Sequence, residues 1–96
     1  MILKGIRAVA TWRKDAKRHY NAANGDLEAA TAAYKEDLRL RSIDPMTIMV
    51  LIQLAIKIWK WAKDNGYLTA MPEERLAAEP STDELMVGVT HPDGPE

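Results

Sequence analysis

The sequence holds no cysteine, only two serines, Ser42 and Ser81, and only two histidines, His19 and His91, among its 96 residues. Without thiols there is neither a disulfide staple nor a thiolate metal site, and the chain carries no sign of an oxidising compartment. A covalent catalyst needs a nucleophile beside a positioned base. Both serines fall at helix boundaries, where hydroxyls serve as caps. His19 follows Arg18 near the end of a first helix, which disfavours protonation and metal binding and suits an interfacial or capping role, while His91 lies in the tail. There is no HExxH, no EF-hand loop, no Cys/His spacing and no glycine-rich phosphate loop. Acid pairs occur at Asp26/Glu28, Glu36/Asp37, Glu73/Glu74 and Asp83/Glu84, but each sits at a polar helix start or on an exposed face, where nothing raises a carboxyl pKa. The expectation is a non-enzyme with no cofactor, no metal and no small-molecule substrate.

Long apolar runs are absent except for one, Ile43 to Trp61, reading IDPMTIMVLIQLAIKIWKW. Its punctuation is helical. Asp44 stands where an N-cap carboxylate accepts orphan amide protons, Pro45 suits the first turn, and Asn65-Gly66 supplies a left-handed stop. A helix over 45–64 follows. Gln53, Lys57, Lys60 and Asp64 form one narrow polar stripe, but nearer the start Met46 and Met49 occupy it, so the first half is apolar all round. Such a helix needs protein or lipid around it. From Ile43 to Ile56 it covers roughly 20 Å, short of a hydrocarbon core of about 30 Å. Its far end, Trp59-Lys60-Trp61 with Lys57 and Lys63, nonetheless has the composition of a membrane interface. Ile48, Met49, Val50, Leu51, Ile52, Leu54, Ile56 and Ile58 are therefore the candidate residues for a buried interface or lipid contact. Trp12, Trp59, Trp61, Lys57 and Lys60 are the candidate interface anchors.

The net charge of −1 hides an asymmetry. From Met1 to Ala23 six bases face one acid, Asp15, whereas from Met71 to Glu96 seven acids face one base, Arg75. The two ends suit different partners, or head-to-tail attraction between copies, with screening beyond about 8–10 Å. Ile2, Ile6, Val9, Trp12, Ala16 and Tyr20 draw an apolar stripe on a first helix over about 2–23. Lys14, Lys17 and Arg18 on its other surface form a basic patch facing a partner. Nucleic acid is not expected to be that partner, since no recognition-helix motif or long basic run is present. No secretory signal is visible either, because Lys4, Gly5 and Arg7 follow at once on the first apolar residues.

Asn24-Gly25 ends the first helix, and Asp26 caps a second over about 27–42, making a helical hairpin. Leu27, Ala30 or Thr31, Tyr34, Leu38 and Arg41 share a face of it. The stretch Gly25-Asp26-Leu27-Glu28-Ala29-Ala30 through Tyr34 to Leu38-Arg39-Leu40, with Asp44-Pro45 beyond, resembles the second helix of a tetratricopeptide repeat. The resemblance covers barely a fifth of the chain. Arg18 and Asn21 stand where that family has small and aromatic residues, Asp37 replaces an alanine, and no second copy follows, although such solenoids stack several repeats. It reads as a convergent hairpin, and no peptide-binding residues are carried over.

Residues 71–96 form an acidic arm punctuated by proline. Two short helical signals survive in it: Pro72 to Ala78, and Ser81-Thr82-Asp83-Glu84, which has capping-box spacing. Leu85, Met86, Val87 and Val89 are too apolar for an acidic tail. They read as a docking segment for a partner or neighbouring copy, or else as a turn packed on the chain's own hairpin. His91 to Glu96 looks like a turn and a loose end.

The sequence therefore predicts an all-α protein, with a three-helix unit over 1–70 and an arm over 71–96. Its expected role is structural: a small assembly component whose central helix is buried against a protein partner or in a homo-oligomer. Minor virion proteins of bacteriophages offer an analogy of size and composition. A membrane-anchored or membrane-active protein of the short holin kind and a helical adaptor are the alternatives, placing the protein in an assembly or at a membrane surface.

Overall fold

The computed structural model describes residues 2–90, with side chains from Ile6 onward, so the expectations for His91 and the terminal turn lie outside the described residues. The chain is all-α, and among the described residues there is no strand. Its helices are α1 (Ile2–Ala10), α2 (Trp12–Ala22), α3 (Leu27–Leu40), α4 (Pro45–Asp64) and α5 (Thr82–Met86). The expected caps are present. Asp26 accepts from the Ala29 amide and Asp44 from the Thr47 amide, each satisfying a donor that the helix leaves free. Ser81 and Glu84 close a full capping box at α5.

Two elements differ from the sequence reading. The first helix is divided at Thr11 (φ −111°, ψ 11°). There the hydroxyl lies 3.0 Å from both the Arg7 carbonyl and Asp15 Oδ2 and can give its one proton to either; bonding back to the carbonyl bends helices. The signal at Pro72–Ala78 gives turns and bends instead of a helix. The backbone groups such a helix would use are engaged elsewhere. The carbonyls of Glu73 and Glu74 accept from the Lys17 ammonium at 3.4 and 2.8 Å, and the Leu76 amide donates to Glu79 Oε2 at 2.9 Å.

The core lies among α2, α3 and α4, which pack against one another. Trp59 is fully buried at its centre, stacked on Tyr20 at 6.4 Å, with its indole N–H donating to the Ala16 carbonyl at 2.9 Å. Tyr34 and Leu38 close the α3 side, and burial pushes the Tyr34 phenol well above its ordinary pKa. Helix reversals are tight. Gly25 (φ +81°) lies so close to Leu68 that an added Cβ would stand 2.0 Å from its carbonyl oxygen, so only glycine fits there.

From Met71 the arm folds back along α2 and α4. Asn21 exchanges two hydrogen bonds with the Met71 backbone at 2.8 and 2.9 Å, and Gln53 does the same with Thr90. The radius of gyration, 12.9 Å, is close to the ~13 Å of a compact chain of about this length. An extended arm would exceed it.

The strongest tie is ionic. Lys17 Nζ and Glu79 Oε2 are 2.6 Å apart with both side chains at 0% exposure, and Arg13 Nη1 reaches Glu79 Oε1 at 3.0 Å. Burial by itself would raise the Glu79 pKa; hydrogen bonds from Lys17, the Leu76 amide and Arg13 outweigh it and hold the carboxyl below its ordinary 4.5. Because the folded-state value is depressed, this contribution is present above the ordinary value and is lost as pH falls beneath it. Removing Lys17 leaves the buried Glu79 oxygen it held with only the Leu76 amide, and Arg13 alone to offset the charge. Lys17→Met is therefore expected to cost about 3–5 kcal/mol, and Lys17→Met with Glu79→Gln to recover most of that. Thermal melts of the three proteins check this, and the wild type should lose more stability on acidification below pH 4.5 than the double variant.

Candidate functional site

The sequence marks out four groups of candidate residues, and the fold treats them differently. Of the basic patch, Lys14 and Arg18 are exposed but Lys17 is fully buried. Lys17 thus does not face a partner: four residues after Arg13, it lies on the same flank of α2, and the arm closes over it. Arg18 is turned onto Asp15 at 2.7 Å, and that buried carboxylate also takes Arg41 at 3.2 Å. Much of the basic charge of α2 is consumed within the chain.

Of the anchors, Trp12 and Trp59 are buried in the core, where they cannot reach a lipid interface in this fold. Trp61 is half-buried, stacked on Tyr67 at 6.2 Å, and Lys60 is exposed. Lys57 bends toward the arm, donating to the Leu85 carbonyl at 2.9 Å and to that of Val87. In the arm, Leu85 and Val89 are buried and Met86 is half-buried, whereas Val87 faces outward. The docking segment docks on its own α4.

The fourth group, the apolar residues of α4, splits along the helix. Leu51, Ile52, Leu54, Ala55, Ile58, Trp59 and Ala62 are buried, whereas Met46 and Met49 are 48% and 44% exposed, and Ile48, Val50 and Ile56 are intermediate. Among the described residues the first turns of α4 are only partly covered. On one side a groove of about 620 Å³ runs between α1, α4 and α5, floored by Val9, Trp12, Val50, Leu51, Leu54 and Met86 with Asp44 and Thr82 at its edge. On the other a groove of about 480 Å³ lies between α3 and α4, with Ile48, Met49 and Ile52 below Lys35 and Arg39. Beside the first groove, α1 exposes 59% of Ile6 and 52% of Val9. The apolar stripe expected over Ile6 and Val9 is thus turned outward, because the bend at Thr11 makes Ala8 the inward residue.

Two buried carboxylates, Asp15 and Glu79, are absent from the acid pairs legible in the sequence. The available signals were the opposite charge of the chain's ends and the four-residue spacing of Arg13 and Lys17 beside the Trp12–Ala16–Tyr20 stripe. Both carboxylates are engaged by cations and hydrogen bonds within the chain. His19 Nε2 lies 3.0 Å from Asp37 Oδ2 and its ring stacks on Tyr34, bridging α2 and α3. Among the described residues no three His, Cys, Asp or Glu side chains converge as metal ligands.

Comparison with protein families, with curated proteins and with solved structures finds no match to this chain. Function is read from the surface alone.

The two halves of α4 differ in what a charge would meet. Leu54→Lys buries an unpaired ammonium and should cost about 3–5 kcal/mol, whereas Met49→Lys reaches water and should change stability by less than about 0.5 kcal/mol. Denaturant titration of both variants checks the contrast.

Proposed function

We propose that the protein is a non-catalytic assembly component, whose open apolar face over α1 and the first half of α4 is covered by another protein. The observation that carries this reading is the run of exposed apolar residues on one groove, Val9 and Met46 lining it and Ile6 next to it on α1, with Met49 exposed on the adjoining α3–α4 groove. Isolated exposed apolar residues are ordinary; a contiguous set around a concave floor is what interaction sites use. Methionine suits it, since its flexible thioether adapts to the shape of a partner.

A lipid surface is the competing occupant, because α4 is long and apolar enough to cross a membrane by length and composition. Against it stand Trp12 and Trp59, whose indoles are spent in the core and on the Ala16 carbonyl instead of at an interface. A spanning α4 would also have to give up its packing with α2 and α3, leaving Lys17 and Glu79 without the fold that pairs them.

Flotation of the full chain with vesicles containing anionic lipid tests the choice. The protein is expected to stay at the bottom of the gradient and to remain soluble without detergent. Flotation in company with the vesicles would overturn the assembly reading.

A further inference from the structure

We propose that the cover of the open face is a second copy of this chain, with α1 of each molecule lying in the groove of the other. The proposal rests on the reading above that protein, not lipid, occupies this face. It adds the identity of the occupant, and three observations on the surface carry it.

Among the described residues nothing covers the groove or the outer edge of α1, and the two adjoin. α1 turns Ala8 inward and leaves Ile6 and Val9 more than half exposed, so its apolar edge is free to be buried by something else. Val9 also lines the groove. A two-fold axis passing near Val9 would set the two α1 helices side by side and bury each apolar edge against Met46, Val50 and Met86 of the other molecule.

The charges match in sign. α1 carries Arg7 in its last turn and no acid in its first. The groove carries acid on both sides: Asp44 lines it, and Asp83 and Glu84 stand exposed on α5 between its lining residues Thr82 and Met86. A basic helix with an apolar edge is the complement of an apolar groove with an acidic rim, and both belong to one chain.

The contact closes on itself. In a two-fold arrangement the same patch serves both molecules, so each helix–groove contact is made twice and neither copy of this groove is left open to recruit a third chain.

Sedimentation velocity of the full chain over a wide concentration range, with circular dichroism to confirm unchanged helix content, is the test. The wild type is expected to sediment as a dimer that dissociates on dilution. Arg7→Glu sets like charges together at both contacts, and so does Asp83→Lys; each should raise the dimer Kd by about tenfold or more. An equimolar mixture of the two variants should restore dimers, because each of its contacts again joins opposite charges. Val50→Asp should dissociate the dimer outright. A wild type that stays monomeric throughout, or a dimer indifferent to both charge variants, overturns the proposal. Since neither result involves lipid, the vesicle flotation above decides separately whether the assembly reading survives.

Discussion

A lysine ammonium and a glutamate carboxylate with no access to water decide where the last third of this chain goes. Taking two charges out of solvent costs several kcal/mol for each, and only good geometry with saturated hydrogen bonding offsets it. Both conditions are met at Lys17 and Glu79. The ammonium has Glu79 and the carbonyls of Glu73 and Glu74, and the carboxylate has Lys17, Arg13 and the Leu76 amide. The arrangement specifies register more than it adds stability: slipping the arm by one residue would strand both charges. It also dictates local structure, because the backbone groups it takes are those that a helix over Pro72–Ala78 would need.

With the arm fixed, α4 acquires its division into two halves. The second half is sheltered by α2, α3 and α5, and its Trp59 ties the centre of the core to the backbone of α2. The first half is left partly uncovered by the arm's described residues, which end at Thr90 against Gln53, and the edge of α1 is turned outward beside it. Fold and surface are thus linked: the contacts that close the chain's charged ends on each other are the ones that leave its apolar end open.

Much of the architecture was legible in the residues. The caps at Asp26, Asp44 and Ser81, the span of α4 and the all-α class follow from local rules, which act over three or four residues and so survive without tertiary knowledge. What was not legible depends on distant partners. The bend at Thr11 depends on a single hydroxyl choosing its own helix carbonyl. The loss of the helix at Pro72–Ala78 is set by Lys17, more than fifty residues away in sequence. Lys17 illustrates the limit best: composition places a lysine on a solvated face, and only the returning arm makes that face an interior. The uniform apolar circumference expected for the start of α4 was real as a pattern, and it is this pattern, left uncovered, that marks the candidate site.

The central claim, that the acidic arm is closed over Lys17 within one molecule, is tested most directly by competitive acylation of native lysines followed by peptide mass spectrometry. Lys17, with no exposed surface and its ammonium held by three oxygens, should be the slowest lysine to react, far behind Lys14 and Lys60. Modification of Lys17 as fast as Lys14 under native conditions would contradict the account.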